Sequence, residues 1–349
     1  MAYSSIIKPS AFMNTKLYTG TGSSNAQTGI GFQPDWVWLK CRSSAKHNNL
    51  YDVVRGATKE IYSNLTNAED TDAQSLKSFN SDGFTVGTGA DQNENNATYV
   101  AWNWKAGTSF TNDASGTGIG SVDSTGSVNQ TSGFSIMSWT GTGANATVAH
   151  GLGATPKMMI FKVRDGATAW VVYHKNVGPT KGLFLNTAGT GSTVSAYFQD
   201  TNPTSSVFSV GSDADTNGSS KSMITYCFAE KQGYSKFGVY AGNNSSTGGF
   251  HYTGFKPAFI IIKRTDSAAD WRTYDDKRFR AGGPNNKFNY LQANGDNGEA
   301  DSDSGGAWDM LSNGFKFYTS DAAINGGGTY IYMAFAENPF VASNFNAAT

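Results

Sequence analysis

The stretch that decides the fold reads PDWVWLK at residues 34–40, in which an apolar run separates a proline from a lysine. The same arrangement returns at 156–162 and 257–263, and each time a tyrosine follows the lysine by eleven residues. The recurring residues are Pro34, Lys40 and Tyr51, then Pro156, Lys162 and Tyr173, then Pro257, Lys263 and Tyr274. Two fixed gaps in three places indicate an internal repeat of about one hundred residues, the size of an independent domain.

Each lysine directly follows four apolar residues, at 36–39, 158–161 and 259–262. These runs are short, apolar and preceded by Gly/Pro turns, which is typical of strands covered on both faces. The segments 99–104, 224–228 and 330–335 are also strand-like.

The stretches between these segments are rich in Gly, Asn, Asp and Ser, as in turns and loops, and 66–77 is the best candidate for a short helix. The sequence therefore predicts an all-β protein of three tandem β-sandwich repeats, jelly-roll or concanavalin-like. Three copies in one chain also allow a pseudo-threefold arrangement.

The repeats set the expected domain boundaries. We predict a first sandwich at 1–107, a Gly/Ser/Thr-rich linker at 108–131, a second sandwich at 132–232 and a third at 233–349. Because the second and third repeats follow each other almost without a spacer, we expect them to pack rigidly, with the first on a longer tether.

Composition and charge argue against several classes of partner and location. The 349 residues carry a formal charge of −1, which argues against duplex DNA or an anionic membrane surface as the main partner. The first residues lack the basic and apolar pattern of a signal peptide, and no apolar run is long enough to span a bilayer. Cys41 and Cys227 fall at different places in their repeats, so we expect no disulfide between them.

The recurring lysine allows two interpretations. It could form three equivalent ligand or partner contacts, or it could cap a buried strand or pair with a carboxylate inside its own sandwich. The second is favoured because it needs only the constraints of the fold. Asp52 and Asp275 are candidate partners for the lysines, but His174 stands at the matching place in the second repeat. A threefold catalytic Lys–Asp motif is therefore not supported.

The candidate metal ligands are acidic residues and histidines. Acidic loops that could bind Ca²⁺ contain Glu69, Asp70 and Asp72, and Asp296, Glu299, Asp301 and Asp303. The EF-hand-like start at 213–218 fails, because Ile224 stands where the loop needs glutamate. The histidines have no zinc spacing; they are His47, His150, His174 and His251. We expect no catalytic residues and no cofactor, with calcium as the one open alternative.

Three tryptophans outside the strand runs, Trp170, Trp271 and Trp308, could stack on sugar rings as lectin platforms do. Trp170 and Trp271 each precede the repeat tyrosine by three residues, and this recurrence favours core packing.

Several segments together resemble a family of repeat proteins in marine tailed phages. They are GFQPDWVWLK at 31–40, LYDVVRGA at 50–57, YVAWNWKAG at 99–107, GYSKFG at 233–238 and YIYMAFAE at 330–337. The resemblance covers nearly the whole chain and implies a non-enzymatic, lectin-like virion structural protein that is assembled in the infected bacterium's cytoplasm. Members have no assigned catalytic residues, so none is transferred here.

The resemblance leaves three roles open. The first is a capsid decoration or head or tail appendage protein, whose partners are other virion proteins and which self-associates or is placed symmetrically on the particle. The second is a tail-fibre adhesin that binds host surface glycans. The third and weakest is a glycan depolymerase. Because the chain lacks heptads and a long repetitive shaft, the compact accessory protein is favoured.

Overall fold

The computed structural model describes residues 4–278, 289–300 and 308–339. In these residues most of the regular secondary structure is antiparallel β-strand, so the all-β prediction is confirmed. The strands form large sheets, each accompanied by a small one.

The first part of the chain forms a six-stranded sheet in the order β1-β9-β3-β4-β5-β6 and a small sheet in the order β2-β8-β7. Its elements are η1 (Pro9–Ala11), β1 (Met13–Thr19), β2 (Asn25–Gln27), β3 (Trp36–Cys41), β4 (Asn48–Asp52), β5 (Lys59–Tyr62), β6 (Asp70–Thr71), β7 (Leu76–Asn80), β8 (Gly83–Val86), α1 (Ala90–Asn93) and β9 (Thr98–Trp104).

The middle part forms an eight-stranded sheet in the order β10-β11-β12-β19-β14-β15-β16-β17, and a small sheet of β13 and β18. Its elements are β10 (Thr108–Asn112), α2 (Ala114–Thr117), β11 (Ser124–Asn129), β12 (Phe134–Thr140), β13 (Ala146–Ala149), β14 (Pro156–Val163), β15 (Val171–His174), β16 (Lys181–Phe184), β17 (Ser192–Thr193), α3 (Ser195–Phe198), β18 (Val207–Val210), α4 (Ala214–Asn217) and β19 (Ser222–Ala229).

The last part forms a sheet in the order β20-β27-β22-β23-β24 and a small sheet in the order β21-β26-β25. Its elements are β20 (Ser235–Ala241), β21 (Phe250–Tyr252), β22 (Phe255–Arg264), β23 (Arg272–Asp275), β24 (Leu291–Gln292), β25 (Trp308–Leu311), β26 (Gly314–Phe317) and β27 (Thr329–Pro339). The strand order of this large sheet matches β1-β9-β3-β4-β5 and β12-β19-β14-β15-β16.

One hydrophobic core joins the three large sheets. The Trp36 ring stacks on Tyr226 with centroids 4.4 Å apart, which links the first and second sheets. Trp104 meets Phe259 of the third sheet at 5.3 Å, and Phe228 meets Phe335 at 6.0 Å across the second and third. Because burying one such side chain contributes about 1.5–3 kcal/mol, this shared core is a major part of the folding energy.

The other face of each large sheet is covered by its own small sheet, with a separate core between the two. In the middle part, for example, Phe161 of the large sheet meets Phe208 of the small sheet at 5.4 Å. Strand β3 is buried along its whole length because the shared core lies on one side of it and a local core on the other. This arrangement explains why the runs before the lysines are continuously apolar.

Two local predictions differ from the structure. The helix expected at 66–77 is wrong, because this segment contains β6 and the start of β7. The stretch 108–131, expected to be a linker, instead contains β10 and β11, which extend the second large sheet beside β12. Its polar composition reflects a sheet edge, where four of the five β10 residues are not buried.

The longer tether expected for the first repeat is also not what the structure shows, since its tryptophans lie in the shared core. The division at 1–107, 132–232 and 233–349 stays a prediction.

We expect the chain to unfold in one cooperative transition, because the three large sheets share a core. Phe228→Ala should lower the free energy of unfolding by about 3–5 kcal/mol, since it removes a ring that packs against Trp36, Phe134 and Phe335. Calorimetry and urea unfolding measure this. The control, Ile119→Ala, changes a side chain that is 42% exposed and should alter the free energy by less than about 0.5 kcal/mol. If the parts of the chain unfolded independently, Phe228→Ala would split the unfolding curve, and part of it would keep the wild-type midpoint.

Candidate functional site

The three repeat lysines are fully buried, and each donates hydrogen bonds to backbone carbonyl oxygens. In each case one acceptor lies six residues further along the chain. Lys40 Nζ donates to Lys46 O at 2.7 Å, Lys162 Nζ to Thr168 O at 2.9 Å and Lys263 Nζ to Ala269 O at 2.5 Å.

A second acceptor comes from a distant loop. Lys40 Nζ donates to Asp296 O at 2.9 Å, Lys162 Nζ to Thr66 O at 3.0 Å and Lys263 Nζ to Ala188 O at 2.7 Å. The first part of the chain thus contacts the last, the middle contacts the first and the last contacts the middle. These contacts close a ring, which we call the lysine ring (Lys40, Lys162 and Lys263).

The side chain three residues before each repeat tyrosine also donates a hydrogen bond across the same junction. Trp170 Nε1 donates to Tyr62 O at 2.9 Å, and Trp271 Nε1 donates to Phe184 O at 2.8 Å. At the third junction Asn48 Nδ2 donates to Gly295 O at 2.8 Å.

The tryptophans suggested as a sugar platform are all buried, namely Trp170, Trp271 and Trp308. Because their rings are not accessible at the surface, the suggestion of sugar stacking is wrong for these three residues.

Two of the three junctions also carry a bidentate arginine–glutamate pair. Arg164 donates through Nε to Glu69 at 2.9 Å and through Nη2 at 3.0 Å. Arg42 donates in the same way to Glu299 at 2.6 and 3.0 Å. Burial disfavours the charged form of Glu299, but the hydrogen bonds of Arg42 and the charge of Arg278 prevail and lower its pKa.

The acidic loops proposed for calcium therefore use one glutamate each to bind arginine. No group of three or more metal-ligating side chains occurs in the part of the chain that the structure describes. Asp301 and Asp303 lie outside the described residues. The EF-hand-like start at 213–218 forms the capped helix α4, in which the Asp213 carboxylate accepts from the Asp215 N–H.

Asp52 and Asp275 pair with arginines, not with the lysines as suggested. Arg55 Nε donates to Asp52 Oδ2 at 2.5 Å, and Arg278 Nε donates to Asp275 Oδ2 at 2.6 Å, with all four side chains buried. An arginine three residues after each aspartate is a signal in the sequence that could have revealed these pairs.

Each of these aspartates also accepts a hydrogen bond from another large sheet. The Tyr226 hydroxyl donates to Asp52 at 2.7 Å, and Trp102 Nε1 donates to Asp275 at 2.8 Å. His174, which stands at the matching position, lies 3.3 Å through Nε2 from Tyr332 O of the third sheet. Burial lowers the pKa of His174 to about 4, so it is neutral at pH 7.

The repeat tyrosines lie in the local cores. The Tyr51 hydroxyl donates to Glu60 at 2.7 Å, the Tyr173 hydroxyl donates to Asn202 at 3.0 Å, and Tyr274 packs on Trp308. Lysine, aspartate and tyrosine of one repeat therefore do not converge on one catalytic centre. Both cysteines are buried and free.

Surface grooves lie away from the buried lysines and aspartates, and one of them includes Arg164 of an arginine–glutamate pair. One groove of about 560 Å³ lies beside the β10 edge and is lined by Phe12, Phe110, Val128 and polar neighbours, with no titratable side chain. A polar groove of about 240 Å³ includes Asp123, Trp139 and Arg164. Within the described ranges, no helix is long and apolar enough to cross a bilayer.

The fold and the lysine ring define an antiparallel all-β protein whose recurring polar residues hold its sheets together. A family described as a domain of unknown function, DUF7483, matches residues 8–339, and the chain belongs to that family. Neither the curated proteins nor the solved structures contain a match.

The lysine ring makes stability depend on pH. Burial lowers the pKa of Lys40, Lys162 and Lys263 to about 8, whereas a lysine in the unfolded chain has its ordinary value of 10.5. The unfolded chain therefore binds more protons above pH 8, and the lysines make the free energy of unfolding rise with pH in that range. Lys162→Met should reduce this rise between pH 7.5 and 9.5, as measured by urea unfolding.

The matched control is Lys221→Met, because Lys221 is exposed at the surface. It should keep the wild-type slope of unfolding free energy against pH. An unchanged slope in Lys162→Met would contradict the lowered pKa of Lys162 as a cause of the pH dependence.

The arginine–glutamate pairs should contribute more to the free energy of unfolding than their partly exposed position suggests. Glu69→Gln removes the carboxylate that receives two N–H groups of Arg164, and we expect a loss of about 1.5–3 kcal/mol in the free energy of unfolding. The control, Asp70→Asn, changes the exposed residue next to Glu69, at the start of β6, and should have little effect. Equal losses in the two variants would argue against a role for the pair.

Proposed function

We propose that the chain is a non-enzymatic structural protein of a tailed-phage virion, acting as a capsid decoration or a head or tail appendage protein. We further propose that it folds as three tandem β-sandwich repeats around a pseudo-threefold axis. The observation that carries the proposal is the lysine ring, in which equivalent contacts run from each part of the chain to the next and close on themselves.

The matching strand orders support the repeat architecture. Two aromatic contacts join matching positions of different large sheets, Trp36 with Tyr226 and Phe259 with Trp102, and this supports approximate rotational symmetry. A single polypeptide of this shape imitates a trimer, so it suits a threefold or quasi-threefold position on a particle. A rigid, closed body also fits an accessory protein that must keep its shape on the particle surface.

The non-enzymatic assignment is supported by how the perturbed groups are used. Burial raises the pKa of Asp35 to about 6, and its carboxylate accepts from the Ala106 N–H at 2.8 Å. Glu60, whose pKa burial also raises, accepts from the hydroxyls of Tyr51 and Tyr62. Since these carboxyl groups are engaged within the fold, a glycan depolymerase is the weaker alternative.

A second candidate is an adhesin that binds host surface glycans. The observation that favours it is an exposed aromatic pair, Phe250 and Tyr252, on the third small sheet. This role is compatible with a place on the particle, because the lysine ring and the aromatic pair occupy different parts of the molecule.

The test is to locate the protein on virions of the phage that encodes it. Cryo-electron microscopy should place one chain at each threefold or quasi-threefold position, and quantitative mass spectrometry should give the matching copy number. Particles from a phage that lacks the coding sequence should lose this density and keep the remaining shell. Absence from purified particles would overturn the virion assignment, and density confined to a fibre tip would favour the adhesin.

A further inference from the structure

The outer face of the third small sheet carries two rows of side chains from its three strands. Residues directly opposite each other in an antiparallel sheet share a face, and so do residues two apart on one strand. The rows are Phe250, Lys316 and Asp309, and Tyr252, Gly314 and Leu311. We call this surface the aromatic face (Phe250, Tyr252, Asp309, Leu311, Gly314 and Lys316).

Two rings on this face are about half exposed to solvent. Phe250 is 45% exposed and Tyr252 is 54% exposed. His251, between them, points the other way and packs against Tyr240 and Phe315 with centroids 4.3 and 5.1 Å apart. Because residues two apart on a strand are separated by about 6.6 Å, the two rings form adjacent stacking positions.

The backbone beneath the rings makes room for them. A Cβ atom at position 314 would lie 2.8 Å from two atoms of the Phe250 ring and 2.2 Å from His251 O. Glycine at 314 therefore lets the ring lean across the neighbouring strand. Lys316 Nζ lies 5.0 Å from the centroid of the Tyr318 ring, which adds a third aromatic at the edge of the face.

The other two small sheets have no rings at these places. Phe250 pairs with Lys316, the residue after Phe315. In the same way Ala26 pairs with Thr85, the residue after Phe84, and Thr147 pairs with Ser209, the residue after Phe208. Ala26, Thr147 and Phe250 therefore occupy matching places. Two residues further on, Tyr252 corresponds to Thr28 and Ala149. Ala26 and Thr28 are exposed, so a small sheet can cover its core without rings on its outer face.

We propose that the aromatic face binds a neutral sugar chain. Pyranose rings present an apolar C–H surface to an aromatic ring and hydroxyl groups around their edge. Phe250 and Tyr252 supply two stacking positions, while Lys316 and Asp309 supply a donor and an acceptor for hydroxyls. This inference goes beyond the proposed structural role and gives the second candidate function a site and a ligand class.

The net charge of the aromatic face favours a neutral ligand over an anionic one. Lys316 and Asp309 are opposite each other on β26 and β25, so the face as defined has no net charge. Nucleic acid and polyanionic glycans are bound by surfaces with an excess of positive charge, whereas this balanced face complements an uncharged polymer.

The experiment uses the purified full chain on an array of neutral and anionic oligosaccharides, followed by calorimetric titration with the best neutral ligand. We expect binding to at least one neutral oligosaccharide. Phe250→Ala combined with Tyr252→Ala should weaken that binding at least tenfold. The matched control is Val239→Ala, which shortens another 45% exposed apolar side chain and should leave binding unchanged. Circular dichroism and the unfolding midpoint should be the same in the double variant as in the wild type.

Three outcomes would overturn the inference. They are no binding to any neutral glycan, binding that the double variant retains, and self-association of the wild-type chain in sedimentation that the double variant abolishes without any glycan binding. The last would make the aromatic face a contact between copies. Location on the virion is measured independently, so loss of glycan binding would leave the structural role standing, and absence from virions would leave the glycan site standing.

Discussion

A buried ammonium group must find oxygen acceptors inside the protein, and in this chain one acceptor of each repeat lysine comes from a neighbouring part. Lys162 Nζ, for example, has acceptors within its own turn, but Thr66 O comes from the loop after β5. An unpaired buried charge is far more costly than an unpaired neutral group. Each part of the chain therefore completes its polar contacts only when the part beside it is folded and docked, and the cyclic order extends this dependence to all three.

The three junctions are related but not identical. Those at Arg164 and Arg42 carry a glutamate pair. The matching position in the last part of the chain is Thr265, whose carbonyl oxygen lies 3.5 Å from Lys181 Nζ. The buried aspartate is likewise replaced by the neutral His174 at one place. The lysine and its carbonyl acceptors are present at all three junctions, so they form the minimum contact, and the ion pairs are additions that one junction lacks.

The sequence is most informative about contacts within one repeat. Continuous apolar runs before Lys40, Lys162 and Lys263 correctly predict strands buried on both faces, because covering both faces removes the usual alternation. The partners of the lysines cannot be predicted in this way. Lys40 and Asp296 are 256 residues apart, and any residue type can supply a backbone carbonyl. The edge strand β10 was missed for a similar reason, as its polar residues are typical of both a linker and an exposed edge.

The aromatic face shows where such an architecture can acquire function. Both faces of each large sheet are covered, one by the shared core and the other by a small sheet, so substitutions there affect packing. On the outer faces of the small sheets the residues at matching places differ, with Ala26, Thr147 and Phe250. His251 keeps its inward packing while its neighbours Phe250 and Tyr252 are exposed. Since strand alternation separates the two sides residue by residue, the outer face of one small sheet can change without altering the core that holds the three large sheets together.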